Sequence, residues 1–311
     1  MNVSGTNSED RPVALVFGKN GQLGASLQWQ ASSFPDIELR TFSRAEIAIS
    51  DAAAVRSAIA ENKPAVVINA AAYTAVDKAE SDEEAAFTGN ALGPWNLANE
   101  CASAGIPLIH VSTDYVFSGE NDRPWLPDDA VAPLGIYGRT KLAGEWAVTA
   151  TQPDSYILRT SWVFSPWGNN FVKTMLRLGA ERDELSIIND QHGCPTYAPD
   201  LAAAILEIAR QRVFREKGRS GVYHFSNQGQ TTWFDFAKAI FQLAEKSGRK
   251  TPSKLNPIPT SAYPTPAKRP KWSVMDLSSI EEEWVLQIPS WEDALARCMK
   301  ALEETSELHK S

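Results

Sequence analysis

The sequence predicts an α/β fold, in which a doubly wound parallel sheet is followed by a smaller C-terminal part. Three observations predict it: short apolar runs alternate with helix-like stretches, most of these runs are apolar throughout, and the alternation stops after Gln228. Strands that alternate with helices form parallel sheets, and such strands are apolar throughout because helices cover both faces. With 311 residues, 43% of them hydrophobic, the chain is long enough to bury such a core.

The first half of the sheet is predicted from apolar runs separated by helices. The predicted strands are Pro12–Phe17, Ile37–Phe42, Ala65–Asn69 and Ile106–Ser112. The predicted helices follow Gly24 as far as about Ala31 and then cover Ala52–Asn62 and Glu83–Ala104. Asp51 immediately precedes the second helix, where an aspartate accepts hydrogen bonds from the first free N–H groups, so we expect it to be the N-cap.

The second half continues the alternation and then changes character. After a loop over Asp114–Gly135, the sequence predicts a helix over Tyr137–Thr149 and strands over Tyr156–Thr160, near Leu185–Ile188 and over Val222–Ser226. Beyond Gln228 it predicts helices over Thr232–Lys246 and Trp291–Glu304, with the Pro-rich, basic run Pro252–Lys271 between them. We interpret this tail as a smaller, substrate-facing part.

Composition and charge exclude several classes of protein. A net charge of −8 and a pI of about 5.2 argue against nucleic-acid binding, which needs a basic surface. Three widely spaced cysteines (Cys101, Cys194 and Cys298) form neither a disulfide framework nor a metal-finger pattern, so we expect a cytoplasmic protein. The polar start has no apolar signal core, and no stretch approaches the ~20 apolar residues of a membrane span.

A glycine-rich loop follows the first predicted strand and opens the first predicted helix. In an open parallel sheet, ligands bind beyond the carboxyl ends of the strands, and glycines let N–H groups at a helix N-terminus approach a pyrophosphate. The spacing is GxxGxxG, and its place in the first strand–helix unit favours a Rossmann-like dinucleotide site over a glycine-rich turn without a ligand. The predicted cofactor contacts in this loop are Gly18, Asn20, Gly21, Gln22, Leu23 and Gly24.

The position of this loop predicts which part of the chain binds the dinucleotide and which part binds the substrate. We expect a disordered leader over residues 1–11 and a dinucleotide-binding domain over residues 12–227. A smaller substrate-binding domain would cover residues 228–311, and residues 161–200 would contribute to the substrate cleft.

The adenosine end of the predicted cofactor site departs from the common pattern. The acidic residue that binds a ribose 2′-hydroxyl is missing after the second strand, where Ser43 and Arg44 stand instead. A guanidinium pairs well with a 2′-phosphate, so Arg44 favours NADPH, with NADH also accepted; a solvated surface arginine is the alternative. Small residues at the end of the third strand allow close packing of a cofactor, or of a helix, on the sheet: Ala70, Ala71 and Ala72.

Tyr137 and Lys141 stand four residues apart, which places them on one face of a helix. Reduction of a ketone needs a hydride on carbon and a proton on oxygen. A nearby ammonium lowers the pKa of a tyrosine from its usual value near ~10, so we expect Tyr137 to donate the proton and Lys141 to assist and to hold the cofactor ribose. Thr113 ends the fourth strand, where its hydroxyl would bind the carbonyl oxygen. The alternative is an ordinary exposed helix face.

Longer motifs add a family resemblance. They are Asn69–Asp77, Ser112–Phe117, Arg159–Val163, Gly168–Phe171, Asn189–Thr196 and Pro259–Ala267. With the glycine loop, Tyr137 and Lys141, they make the chain resemble the dTDP-4-dehydrorhamnose reductase family of the extended short-chain dehydrogenase/reductase superfamily, from about residue 12 to residue 300. The resemblance implies that NAD(P)H reduces the 4-keto group of a nucleotide-linked sugar, dTDP-4-dehydro-L-rhamnose, to give dTDP-L-rhamnose, with catalytic roles for Thr113, Tyr137 and Lys141.

The resemblance also implies substrate contacts. Trp162 would cover the hexose, Asn170 would help hold the nucleotide, and Arg269 would grip the diphosphate bidentately. The remaining implied contacts are Thr74, Val76, Asp114 and Tyr115. Core packing for Trp162 and a solvated charge run for Lys268–Lys271 are the alternatives.

Two departures from the family pattern affect the predictions. Where many relatives have an aspartate near the adenine, this chain has Ala48, so adenine recognition would rest on backbone groups or on Asp51. Some relatives dimerise around Mg²⁺ held by carboxylates, but two matching positions are Ser26 and Pro199, and Glu292 alone makes a poor magnesium site. We therefore expect no metal and a monomer or weak homodimer.

Two other functions stay open. A nucleotide-sugar epimerase or dehydratase shares this fold, although dehydratases commonly have an acidic pair after the strand-four threonine and Thr113 is followed by Asp114 and Tyr115. A non-catalytic regulatory subunit, such as the β subunit of methionine adenosyltransferase, would keep the cofactor loop without turnover. His192 and Cys194 are interpreted as loop or packing residues, since a Tyr–Lys pair already supplies the proton.

Overall fold

The structure is a computed structural model in which residues 11–308 are described, so the predicted leader over residues 1–11 lies, except for Arg11, outside the described residues. The first five strands all belong to the central sheet: β1 (Val13–Phe17), β2 (Glu38–Phe42), β3 (Val66–Asn69), β4 (Leu108–Thr113) and β5 (Ser155–Thr160). The later strands are β6 (Val163–Phe164), β7 (Glu184–Ile188), β8 (His192–Gly193), β9 (Thr196–Tyr197), β10 (Gly221–His224), β11 (Thr231–Thr232) and β12 (Lys254–Ile258).

The described helices alternate with these strands. They are α1 (Gln22–Gln30), α2 (Ala52–Asn62), α3 (Val76–Ala79), α4 (Glu83–Phe87), α5 (Gly93–Ala104), α6 (Ile136–Thr151), α7 (Phe171–Glu181), α8 (Ala198–Arg215), α9 (Trp233–Lys246), α10 (Ser278–Trp284) and α11 (Trp291–Leu308). No helix among the described residues is both long and apolar enough to cross a bilayer.

Six strands form one parallel sheet in the order β2-β1-β3-β4-β5-β10. Helices α1 and α8 pack together on one face, and α2, α5 and α6 contribute to the layer on the other. The predicted doubly wound parallel sheet is therefore confirmed. Its order reverses at β1, because β2 lies on one side of β1 and β3 on the other, which leaves a crevice at the carboxyl ends of β1 and β3.

A second hydrophobic core lies beside the sheet. It is formed by α7, α9 and α11 with β7 and contains Phe164, Phe236 and Leu295. Hydrophobic contacts cross the predicted boundary at residue 228 in both directions: Phe164 and Met175 belong to this second core, whereas Met275 and Trp284 pack into the first. The division into two domains stays a prediction.

Three local predictions need correction. The helix predicted over Glu83–Ala104 is interrupted by a π-helical turn over Thr88–Leu92, where Asn90 leaves the regular pattern to bond the backbone of Tyr73 in both directions. The predicted strand near Leu185–Ile188 forms, but outside the central sheet. It pairs with β12, a strand that the proline-rich run had not predicted.

The predicted cap of α2 is confirmed. Oδ1 of Asp51 accepts hydrogen bonds from the N–H groups of Ala53 and Ala54, both at 3.0 Å. These are two of the free donors in the first turn, so Asp51 stabilises the start of the helix.

Candidate active site

A cavity of about 610 Å³ lies at the carboxyl ends of β1, β3, β4 and β5, where the strand order reverses. Its lining combines the glycine loop, the ends of the strands, α6 and the loop after β6. The predicted residues that line it are Asn20, Gly21, Gln22, Leu23, Ala70, Ala71, Ala72, Thr74, Val76, Thr113, Asp114, Tyr115, Tyr137, Lys141 and Trp162. Most of the predicted contacts are thus brought to one cavity.

The three glycines of the loop differ in whether the fold has room for a side chain at their positions. Gly18 has a φ of +105°, and a Cβ there would lie 2.6 Å from the backbone of Ala70 and Ala71. A Cβ on Gly24 would collide with the carbonyl oxygen of Gly18. Gly21 differs, because its Cβ would meet nothing closer than 3.5 Å. The fold therefore requires glycine at positions 18 and 24. At position 21 the absence of a side chain leaves space that belongs to the cavity.

The N-terminus of α1 faces this space. Gly21 is its N-cap, and no side chain of the described residues caps the first turn. The N–H groups of that turn carry the positive end of the helix dipole, so they form a site for an anion such as a pyrophosphate.

Lys141 is buried at the inner end of the cavity. Its Nζ donates to the carbonyl oxygen of Val111 over 2.7 Å. Burial lowers the pKa of Lys141 to about 8, although the nearby Glu145 carboxylate raises it. The group is thus held in place one helical turn after Tyr137.

Tyr137 behaves differently from the expectation. Burial raises the pKa of Tyr137 to about 12, the adjacent Thr113 hydroxyl opposes this, and the charge of Asp114 adds to it. The predicted lowering of its pKa by Lys141 is wrong for this structure, because desolvation of the phenol dominates and the lysine ammonium is turned to Val111. A raised pKa keeps the phenol protonated, which is the form that a proton donor needs.

Thr113 is tied to the residue after it. Its Oγ1 donates to Oδ1 of Asp114 over 2.9 Å and accepts from the N–H of Tyr115. Asp114 is almost fully buried, burial raises its pKa to about 6, and its Oδ2 has no hydrogen-bond partner within the described chain. The proton of Thr113 therefore points to Asp114, and the hydroxyl meets a carbonyl oxygen only after it turns or after Asp114 takes up a proton.

Trp162 forms part of the cavity wall in a constrained conformation. Its φ is +47°, its ring stacks on Trp233 with centroids 3.6 Å apart, and it lies against the backbone of Gly193. A large residue in the left-handed region is strained and persists where its surroundings hold it. Trp233 had no sequence signal, because it reads as an ordinary apolar residue at the start of a helix.

Other predicted contacts are held elsewhere. The side chain of Asn170 caps α7 by accepting from the N–H of Lys173 and donates to Gln22, so it does not face the cavity. Arg269 forms a bidentate ion pair with Asp77, at 2.8 Å for the shorter contact. Asp77 was missed as its partner because the two residues lie far apart in sequence.

Arg44 lies outside the cavity lining as well. It is exposed on the loop after β2, whose last carbonyl group, on Phe42, accepts hydrogen bonds from the N–H groups of Gly18 and Lys19. Its pairing with a 2′-phosphate stays a prediction.

The residues set aside in the sequence have structural surroundings. The backbone of His192 joins β8 to the segment at Lys271, and Cys194 is buried with a raised pKa, so its thiol is a poor nucleophile. Ser26 is buried and donates to the carbonyl oxygen of Gln22. Within residues 11–308, no group of three or more His, Cys, Asp or Glu side chains is placed to hold a metal ion.

The sheet, the glycine loop and the Tyr–Lys pair define the class: an oxidoreductase on a Rossmann-like fold. The family model described as RmlD substrate binding domain matches residues 13–304. The dTDP-4-dehydrorhamnose reductase of Sinorhizobium fredii is 42% identical over 289 residues, which cover 92% of this chain and 96% of that protein. The chain therefore belongs to the dTDP-4-dehydrorhamnose reductase family, as its motifs had predicted.

Solved structures agree with this family. The crystal structure of the Clostridium acetobutylicum dTDP-4-dehydrorhamnose reductase is 39% identical in sequence and superposes with a TM-score of 0.86. The match covers 94% of this chain and 99% of that one. The Bacillus anthracis enzyme, solved in complex with NADP, is 36% identical with a TM-score of 0.87 and the same coverage. A UDP-glucose 4-epimerase from Thermus thermophilus, 19% identical with a TM-score of 0.74, shares the fold alone.

Proposed function

We propose that this protein reduces the 4-keto group of dTDP-4-dehydro-L-rhamnose with NADPH and releases dTDP-L-rhamnose, with Tyr137 as proton donor. The observation that carries the proposal is the convergence of Thr113, Tyr137 and Lys141 on the same cavity as the open N-terminus of α1. A pyrophosphate site and a proton donor at one cavity are the two parts that reduction of a carbonyl group needs.

The cavity suits a nicotinamide dinucleotide. The space that Gly21 leaves open and the uncapped first turn of α1 would take the pyrophosphate. Ala70, Ala71 and Ala72 present small side chains at the end of β3, so a flat ligand packs closely there. When bound, NADPH supplies the hydride for the carbonyl carbon. Lys141 would hold the nicotinamide ribose, and Arg44 is the proposed partner of a 2′-phosphate.

Proton delivery follows from the surroundings of Tyr137. With its pKa raised to about 12, the phenol carries its proton at neutral pH and donates it to the carbonyl oxygen as the hydride reaches carbon. The product is a secondary alcohol, and the phenolate that remains is reprotonated from solvent. Lys141, which a pKa of about 8 leaves charged at neutral pH, would stabilise this phenolate once its ammonium turned from Val111 toward it.

The substrate would occupy the remaining wall. Trp162 faces the cavity and is fixed by Trp233, so it offers a rigid aromatic surface to a hexose ring. Thr74, Val76 and Tyr115 line the same cavity. For Arg269 to grip the diphosphate, it would have to share or exchange its ion pair with Asp77, as guanidinium groups do with phosphates.

An assay that follows NADPH oxidation tests the proposal. We expect steady NADPH oxidation with dTDP-4-dehydro-L-rhamnose by the natural sequence and a loss of at least ~10³-fold in kcat for Tyr137→Phe with unchanged NADPH binding. Turnover of other nucleotide ketosugars in preference to this one would assign another substrate. Absence of turnover, together with altered activity of an added methionine adenosyltransferase, would assign the regulatory role. The proposal includes a cytoplasmic enzyme that acts as a monomer or weak homodimer.

A further inference from the structure

Gln22 connects the glycine loop to residues 163–170, which also contribute to the cavity. It is the first residue of α1, and its side chain leaves the glycine loop and reaches the loop after β6. Its Oε1 accepts a hydrogen bond from Nδ2 of Asn170 over 2.9 Å and lies 3.0 Å from Oγ of Ser165, whose one proton also has the carbonyl oxygen of Trp167 within 2.7 Å. Its Nε2 lies 3.5 Å from the carbonyl oxygen of Val163. One side chain of the pyrophosphate loop thus contacts three residues more than 140 positions away in sequence.

The segment that Gln22 contacts, residues 163–170, forms the cavity wall next to the glycine loop. Val163, Gly168 and Asn169 line the cavity beside Trp162. Asn170, at the end of the segment, caps α7 with its Oδ1 while its Nδ2 also donates to the carbonyl oxygen of Ser165. The position of this wall is therefore set where the segment meets Gln22.

The local packing leaves little freedom at this junction. Ser165 is fully buried, and Gly168 adopts a φ of +65° in which a Cβ would lie 3.1 Å from Cγ of Gln22. Because the backbone N–H of Gln22 belongs to the first turn of α1, any shift of this turn toward a bound anion moves the base of the same side chain.

We propose that Gln22 is a positioning residue that couples occupation of the pyrophosphate site to the arrangement of residues 163–170. The proposal rests on the proposed function. The N-terminus of α1 settles around the pyrophosphate, Gln22 holds Ser165 and Asn170, and the wall that carries Trp162 takes up the position in which it meets the sugar. Gln22 acts through these partners and need not touch the sugar itself.

Kinetics of Gln22→Met test the coupling. Met keeps the length of the side chain and removes its hydrogen bonds, so we expect KM for the ketosugar to rise about tenfold and kcat to change less. Gln28→Met is the matched control, since Gln28 lies on the same helix and, among the described residues, its side-chain amide donates to the carbonyl oxygens of Lys19 and Gly24. An unchanged KM, or a change confined to the Kd of NADPH, would overturn the proposal.

A double-mutant cycle with Asn170→Ser identifies the partner. Serine also caps helices, so α7 keeps its cap while the amide that reaches Gln22 is lost. We expect the double variant to have a KM close to that of either single variant, because both remove the same contact. Multiplicative effects on KM would show that the two residues act independently and would contradict the coupling.

Hydrogen exchange separates this proposal from the function itself, because it needs no turnover. Addition of NADPH is expected to protect the amides of residues 163–170 in the natural sequence and in Gln28→Met, and to protect them much less in Gln22→Met. Equal protection in Gln22→Met would refute the coupling, even if the enzyme reduces the ketosugar. Lost protection in Gln22→Met would support it, even if another substrate were found.

Discussion

The ammonium group of Lys141 donates to the carbonyl oxygen of Val111 at the inner end of the cavity, over 2.7 Å. This contact fixes the lysine between β4 and α6 and keeps it away from water. Since burial disfavours the charged form, the pKa of Lys141 falls from its usual value of 10.5 to about 8. The charge that we propose to stabilise a Tyr137 phenolate is therefore lost as pH rises through about 8.

The pH profile of the reaction tests this relationship. We expect kcat/KM to fall as pH rises through about 8, since Lys141 is charged below its pKa and neutral above it. Tyr137, with its pKa raised to about 12, does not produce this change. In Lys141→Arg the charge persists at every accessible pH, so activity should be lower but free of that alkaline fall. A fall near pH 8 that survives in Lys141→Arg would assign it to another group.

Asp114 is expected to reduce the stability of the folded protein at neutral pH. Its pKa is raised from 3.8 to about 6, so the folded protein favours the protonated carboxyl. The stability that this proton contributes is fully present below pH 3.8 and is lost as pH rises through about 6. Asp114→Asn should increase the free energy of unfolding at pH 7.5 by about 3 kcal/mol, and this gain should shrink toward pH 4. Urea unfolding of both proteins at the two pH values measures it. A gain that does not depend on pH would contradict the titration.

Two glycine variants should separate ligand binding from folding. Gly21→Ala adds a methyl group to the cavity without a clash, so we expect weaker NADPH binding and an unchanged melting temperature. Gly24→Ala places its methyl group against the carbonyl oxygens of Gly18 and Lys19, so we expect a destabilised protein. Fluorescence titration and thermal unfolding of both variants check this. Tight NADPH binding by Gly21→Ala would place the pyrophosphate elsewhere.

The buried ion pair of Glu145 and Arg159 supports α6, the helix that carries Tyr137 and Lys141. Both side chains are at most 5% exposed, and they meet at 2.7 Å between α6 and β5. Glu145→Ala should cost about 3–5 kcal/mol in the free energy of unfolding, because it leaves Arg159 buried without its partner. Replacing both residues with apolar ones should recover much of this loss in chemical denaturation. A loss below ~1 kcal/mol in the single variant would show that the pair is dispensable.

Much of the fold could be predicted because its signals are local. Apolar runs, the glycine loop and the N-cap at Asp51 depend on neighbours in sequence, and six of the seven strands predicted from the apolar runs form the central sheet. The pairing of β7 with β12 could not be predicted, since the register of distant strands depends on tertiary packing. The π-helical turn at Thr88–Leu92 likewise depends on a distant partner, the backbone of Tyr73.

The site shows the same limit. The sequence indicated Thr113, Tyr137 and Lys141, and the structure brings all three to one cavity. It could not indicate the pKa of Tyr137, which depends on burial, or the ion pair of Asp77 with Arg269. Both properties arise from residues that meet only in the folded chain.

Isotope transfer tests the proposed reduction most directly. The natural sequence is incubated with dTDP-4-dehydro-L-rhamnose and NADPH that carries deuterium at the transferable position of its nicotinamide ring, and the sugar product is examined by NMR. Reduction predicts dTDP-L-rhamnose with one deuterium at C4 for each NADPH consumed, and none in Tyr137→Phe over the same time. A product without deuterium, or no consumption of NADPH, would contradict the proposed reaction.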